Sequence, residues 1–365
     1  MPDQPTLICE TCGEPAPPLA WRCASCGGTL WLDALPAFDA EAIRTNEWSL
    51  WRYGAMLPIT RRFSLGEGLT PLVPVNPGGV PFLAKLEYLN PTGSYKDRGV
   101  SVMMNYLLHH HAESVVEDSS GNAGASVAAY AGGIGLNCRI FVPAGAPEGK
   151  TRQIAQYGAE VVAVGGPRHA VTEACEQAAE NAVYASHAWN PYFIAGQMTI
   201  AWETWEQMAR RAPEAVVCPV GQGGLLLGWY YGYRALLAAR AISHMPRLFA
   251  VQTEACAPIV DAWENGEETV TRRIEPGETI ADGIRIGQPL RSRQILRALR
   301  ETDGAAFRVD DLSIQAAQTA LGKGGLYVEP TSAAAVAALP AVHAHLGKLS
   351  EIVVPLTGSG LKASR

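Results

Sequence analysis

Asn90-Pro91-Thr92-Gly93-Ser94-Tyr95-Lys96-Asp97-Arg98-Gly99 sets one lysine in the first turn of a helix, directly after a strand. The strand is the run Phe82-Leu83-Ala84-Lys85-Leu86, and Asn-Pro-Thr-Gly is turn chemistry that ends it. Ser94 is placed to cap the helix, with Asp97 three residues on forming a shortened capping box. Lys96 then lies at the positive end of the helix dipole, which favours the neutral, nucleophilic form of an amine. Amines so placed form Schiff bases with carbonyl compounds. An arbitrary lysine at a helix start more often points at water, so the reading depends on what accompanies this one.

A chain of 365 residues predicts two domains plus an appendage. Its apolar fraction of 48 % suits a close-packed α/β enzyme, and a net charge of -6 gives no sign of a nucleic-acid or acidic-membrane partner. No apolar stretch spans a bilayer, and Met1-Pro2-Asp3-Gln4 does not resemble a signal peptide. The expectation is a soluble, cytoplasmic protein.

The cysteines fall into two sets. Cys138, Cys175, Cys218 and Cys256 stand singly in apolar runs and read as small core residues. Cys9, Cys12, Cys23 and Cys26 form two C-x-x-C knuckles, with Gly13, Gly27 and Gly28 supplying tight turns. In a cytoplasmic chain this pattern predicts a structural four-thiolate zinc site, the alternative being a metal-free remnant.

From about residue 80, strand-like and helix-like runs alternate. Strands are expected at 115–118, 139–142, 160–164, 215–219, 248–252 and 351–356, and helices at 123–131, 151–157, 170–182 and 225–238. This alternation predicts parallel, doubly wound sheets, whose ligands lie beyond the carboxyl ends of the strands. The Trp48-Ser49-Leu50-Trp51-Arg52-Tyr53 stretch is expected to pack the cysteine module against the main body.

Three strand-end loops accompany Lys96. Ser119-Ser120-Gly121-Asn122-Ala123-Gly124 offers backbone N–H groups to a carboxylate, and Asn122 an amide for a ring or carbonyl oxygen; a plain N-capped turn is the alternative. Val220-Gly221-Gln222-Gly223-Gly224 reads as a phosphate cradle, although glycine is also demanded by close helix–strand packing. It lacks the Lys-Ser/Thr ending of a nucleoside-triphosphate loop. Thr357-Gly358-Ser359-Gly360 presents a hydroxyl with room for something flat. A Schiff-base lysine, an amide, a phosphate cradle and a hydroxyl are together what pyridoxal phosphate requires.

The lysine motif, with Tyr95 where Phe is usual, resembles that of the fold-type II (tryptophan synthase β-like) pyridoxal-phosphate enzymes, and of the threonine synthase family in particular. Gly66-Glu67-Gly68-Leu69-Thr70-Pro71-Leu72, Asn190-Pro191-Tyr192 with Gly196-Gln197, Glu329-Pro330-Thr331-Ser332-Ala333-Ala334 and Leu356-Thr357-Gly358 extend the resemblance over nearly the whole chain. The cysteine knuckles recur at the front of some relatives. The resemblance implies a zinc-knuckle module over 1–32, a large cofactor-binding domain from 33–97 and 189–365, and a small domain over 98–188. It implies that Lys96 carries the cofactor as a Schiff base and then moves the substrate proton. Asn122 would bond the ring oxygen, Gly221, Gln222, Gly223 and Gly224 the phosphate, and Thr357 the pyridine nitrogen, with Ser359 as second choice. Ser119, Ser120, Gly121 and Ala123 would hold the substrate carboxylate, and Glu329 would sit near the cofactor or serve the strand end. The implied reaction turns O-phospho-L-homoserine into L-threonine and phosphate, in a homodimer.

The pattern also departs from that family. Ala123 stands for a usual Thr, His187-Ala188 for Asn-Ser, and Phe193 for Arg. Trp189, Tyr192 and Phe193 would offer an aromatic wall in place of a bidentate phosphate ligand, or the phosphate would be met by Arg152, Arg168 or Arg285. A threonine or serine dehydratase, or a β-replacement enzyme acting on an unphosphorylated amino acid, is therefore the alternative. A non-catalytic binding protein carrying a zinc module on a lyase scaffold is the remaining one.

Overall fold

A computed structural model describes residues 5–146, 148–347 and 351–362. The chain divides into two compact units, one running up to Gly68 and from Asn90 to Gly196, the other from Leu69 to Leu89 and from Gln197 onward.

In the first unit Ser114–Glu117, Asn137–Pro143, Glu160–Val164 and Val183–Tyr184 form an all-parallel sheet. Glu160–Val164 lies at one edge and Val183–Tyr184 at the other. The buried run Val115-Val116 pairs with Cys138 and Arg139, which carries Glu117 to the carboxyl edge opposite Ile140. Helices Lys96–His109, Asn122–Ile134, Glu148–Gln156 and Arg168–Ala178 connect the strands. Asn122–Ile134 is built of small residues because it is approached closely: a Cβ on Gly133 would meet the Phe63 ring, and one on Gly132 the Tyr157 carbonyl. The cysteine module adds a small antiparallel sheet, with Leu7–Cys9 between Pro15–Ala16 and Leu30–Leu32.

The module docks through residues that the sequence reading did not choose. Trp21 packs edge-on against Tyr184 and Trp189, at 5.3 and 5.1 Å, and the Leu19 N–H donates to the Tyr106 hydroxyl at 2.8 Å. The expected stretch behaves otherwise. Trp48 is 79 % exposed, while Trp51 is buried and donates to Glu67 and Ser101. That anchoring places residues 33–68 with the first unit, whereas the sequence reading grouped them with the larger domain.

The second unit holds a six-stranded sheet in the order Ala305–Val309, Arg247–Thr253, Ala215–Pro219, Ile352–Pro355, Phe82–Lys85, Leu72–Val75. All its pairs are parallel except the last, where Leu72–Val75 with its Pro74 takes an edge. Its core joins Val217, Phe249, Val251 and Val354 to the alanine-rich helix Pro330–Ala337. Lys85 is buried there and is satisfied by Glu203, the Thr70 carbonyl and Gln207. Among the described residues no helix is long and apolar enough to cross a membrane.

Candidate active site

Lys96 is the first residue of its helix, as the turn sequence implies, but Ser94 does not cap it. Tyr95 holds the cap position with no side-chain hydrogen bond. The Asp97 carboxylate instead turns back on the loop, accepting from Thr92 N at 2.7 Å, Thr92 Oγ1 at 2.6 Å and Ser126 Oγ at 2.6 Å. The Ser94 hydroxyl is left buried with no partner. The Lys96 ammonium faces two aromatic rings, 4.8 Å from the Tyr95 centroid and 5.5 Å from that of Phe193.

The strand Ser114–Glu117 delivers the Ser119–Ala123 loop, whose following helix begins at Asn122 with no side-chain cap. The loop is pinched tight: Gly121 N donates to Ser119 Oγ at 3.3 Å, and a Cβ on Gly124 would collide with the Ser119 carbonyl. Its root is fixed by Asp118, which accepts from Tyr184 at 2.8 Å, Thr172 at 2.7 Å and Arg168 at 3.1 Å.

Beside this loop lie two residues to which the sequence reading gave no role. Glu117 is buried, and its Oε1 is 2.8 Å from His187 Nδ1. Burial pushes the Glu117 carboxyl well above the usual range, and the Asp118 charge adds to this. Burial likewise holds the His187 imidazole well below its usual value, with the Lys96 and Arg168 charges acting the same way. The pair is therefore electrically neutral, with a Glu117 O–H donating to Nδ1. The signal in sequence was a carboxylate closing an apolar strand; its partner lies 70 residues away.

The expected aromatic wall reduces to one ring. Tyr192 stacks on Tyr106 at 3.8 Å and Trp189 packs on Trp21. Phe193 alone approaches Lys96, fully buried and so close to Gly99 that a Cβ there would collide with the ring. Of the candidate arginines, Arg168 is held by Asp118, and Arg285 donates to the Pro276 carbonyl at 2.9 Å.

In the second unit the helix Gly224–Ala238 starts behind Gly223 in the left-handed region (φ 83°), again with no side-chain cap. A Cβ on Gly223 would run into Ile295, and one on Gly221 would lie 3.0 Å from the Gly283 carbonyl. Unsatisfied N–H groups at a helix start, with no side chain in front of them, suit a phosphate. At the end of Ile352–Pro355, Thr357 Oγ1 donates to Glu329 Oε1 at 2.9 Å and lies 2.9 Å from Ser332 Oγ. Ser359 instead turns its hydroxyl to Leu361 N.

The four knuckle sulfurs lie within 4.8 Å of one another. Cys9–Cys26, Cys12–Cys23 and Cys12–Cys26 are 3.5, 3.6 and 3.5 Å apart, near the ~3.8 Å edge of a tetrahedral zinc–thiolate site. Gly13 and Gly27, both at positive φ, close the knuckles through Gly13 N to Cys9 O and Gly27 N to Cys23 O. Burial raises the Cys9 thiol, but backbone N–H groups of Cys12 and Thr11 and the thiols of Cys26 and Cys12 outweigh it, bringing Cys9 to about 6. Cys138, Cys175, Cys218 and Cys256 are buried, as core residues should be.

Residues 63–358 match the family model described as pyridoxal-phosphate dependent enzyme. The chain is 34 % identical to a threonine synthase of Methanosarcina acetivorans, over 91 % of this chain and 85 % of that protein. It is 33 % identical to a threonine synthase of Methanocaldococcus jannaschii, over 97 % and 92 %. Among solved structures, a bacterial threonine deaminase, from the organism abbreviated T.th., superposes with a TM-score of 0.68 at 29 % identity, over 80 % of this chain and 92 % of that one. Maize serine racemase, at 23 % identity and a TM-score of 0.69, shares the fold over 80 % of this chain and 88 % of its own.

Proposed function

The chain belongs to the pyridoxal-phosphate-dependent enzyme family, and from that membership we propose a threonine-synthase-type carbon–oxygen lyase. It converts O-phospho-L-homoserine to L-threonine and phosphate by γ-elimination and β-addition of water. The observation that carries this is a near full-length likeness to threonine synthases in a chain that keeps Lys96 at an uncapped helix start.

Bound pyridoxal phosphate supplies the electron sink that makes protons next to a carbonyl-derived centre removable. The residues fit that group on two observations: the uncapped, glycine-lined start of Gly224–Ala238 and the partnerless buried hydroxyl of Ser94. In our reading Gly221, Gln222, Gly223 and Gly224 hold its phosphate through backbone N–H groups, and Asn122 bonds its ring oxygen. Thr357 faces its ring nitrogen; a hydroxyl cannot protonate that nitrogen as a carboxylic acid would, which restrains transamination. Ser119, Ser120, Gly121 and Ala123 bind the substrate carboxylate at the start of Asn122–Ile134. Lys96 anchors the cofactor and then, as a free amine, takes the proton from substrate carbon and returns it.

Phosphate release from O-phospho-L-homoserine, followed together with threonine formation, tests the assignment. A second reading has its own support. Phe193 rather than a cation faces Lys96, and Arg168 is already engaged by Asp118, so an unphosphorylated threonine or serine is the rival substrate. No phosphate release from a protein that deaminates L-threonine or L-serine would transfer the assignment to a dehydratase. Structural zinc on Cys9, Cys12, Cys23 and Cys26, a homodimeric state and a cytoplasmic location complete the proposal.

A further inference from the structure

The neutral Glu117–His187 pair has one atom to spare. Nδ1 is taken by Glu117 at 2.8 Å, and Nε2 has no partner among the described residues. The imidazole is not sealed in the core: its side chain is 18 % exposed, while that of Glu117 is fully buried. The ring packs edge-on against Phe193 at 5.9 Å, and Phe193 in turn faces the Lys96 ammonium. Because Nδ1 accepts from the Glu117 hydroxyl, a neutral ring carries its hydrogen on Nε2. A donor backed by a second, buried proton thus stands beside the one lysine that moves substrate protons.

We propose that His187 Nε2 is the proton donor to the departing side-chain oxygen of the substrate, with Glu117 as its positioning residue. The inference rests on the lyase reading above, though not on whether the leaving group is phosphate or hydroxide. The carbon–oxygen bond breaks and its electron pair goes to the oxygen, which takes the Nε2 proton. The pair that replaces it at carbon comes from the neighbouring carbon–hydrogen bond, whose proton Lys96 takes. Nδ1 receives the Glu117 proton, so the imidazole stays neutral and the new carboxylate faces the Lys96 ammonium. Re-protonation of Glu117 resets the pair. The charged and titratable groups around it are Lys96, Asp118 and Arg168, with the thiols of Cys138 and Cys175 beside Glu117.

The test separates proton removal from leaving-group departure. For the wild-type holoenzyme and for His187→Gln and His187→Asn, solvent-deuterium exchange at the α-carbon is measured beside release of the leaving group. O-phospho-L-homoserine is used first, then L-threonine and L-serine. The expected result is exchange within about threefold of wild type and release slowed about 10²- to 10⁴-fold, the span of general acid catalysis. The basic limb of the release profile should also be lost, since the pair's shared proton is present at low pH and gone at high pH. Release unchanged, or exchange and release falling together, overturns the proposal. Failure of O-phospho-L-homoserine alone rejects the substrate assignment and leaves the comparison to be made on the other two. A readout independent of turnover is the ¹⁵N-histidine spectrum of the wild type against His187→Gln. A neutral ring protonated at Nε2 near pH 7 is expected; protonation at Nδ1 alone, or an imidazolium, overturns the assignment.

Discussion

The Lys96 ammonium stands 5.5 Å from the centroid of the Phe193 ring, and Phe193 in turn closes on Gly99 in the same helix as Lys96. One buried ring therefore sets both the lysine's surroundings and the packing of the helix start. Phe193→Ala would open a cavity in contact with Gly99 and is expected to cost about 3–5 kcal/mol of stability. Equilibrium urea unfolding measures this. A loss under about 1 kcal/mol would mean that the ring is not packed as described.

Lys96→Ala separates cofactor chemistry from folding. The side chain is half-buried and faces only the Tyr95 and Phe193 rings, so the far-ultraviolet spectrum should be unchanged by its removal. The yellow absorbance of the purified protein should vanish, and turnover should fall by at least about 10³-fold, since no other group is placed to move the substrate proton. A Lys96→Ala protein that stays yellow and reducible by borohydride would move the anchoring lysine elsewhere.

Glu67 is a heavily engaged buried carboxylate of the first unit. It accepts from Trp51 Nε1 at 2.9 Å, Tyr130 OH at 2.6 Å, Ser64 Oγ at 3.0 Å and Leu65 N at 2.9 Å, with Ser101 as a further donor. Glu67→Ala would strand these donors in the core at a cost of at least about 3 kcal/mol, given ~1–3 kcal/mol per unsatisfied group. Trp51 fluorescence and urea unfolding report it together. The same substitution should leave the affinity for pyridoxal phosphate within about threefold in whatever fraction remains folded, because Glu67 acts on the scaffold.

The parts legible from sequence were those encoded locally. Glu160–Val164 and Ala215–Pro219 appear residue for residue because each is an unbroken run bounded by turn chemistry. Leu72–Val75 escaped because Pro74 argues against a strand and is tolerated only at an edge. Lys96 was readable from its turn, yet Ser94 is not the cap that the turn suggests, because Thr92 and Ser126 compete for Asp97. Thr357 was legible as a hydroxyl at a strand end, and its Glu329 partner, 28 residues off, was not. Glu117 and His187 show the general limit: a strand-end carboxylate becomes half of a pair only once two strands and a loop have folded, and spacing in sequence carries no trace of it.

The cysteine module makes the sharpest claim on metal. The Cys9 thiolate persists above about pH 6 and is lost as the pH falls through that value, since its titration lies below that of an ordinary thiol. Zinc should therefore be retained at neutral pH, with one equivalent per chain by elemental analysis, and released on acidification below about 6 as protons compete for sulfur. Chelation, or Cys9→Ser, should unfold the module while the main body keeps its cofactor. Trp21 reports this directly, because its contacts with Tyr184 and Trp189 depend on the docked module. A metal-free protein with unaltered Trp21 emission would show that the hydrogen bonds of the knuckles hold the fold unaided.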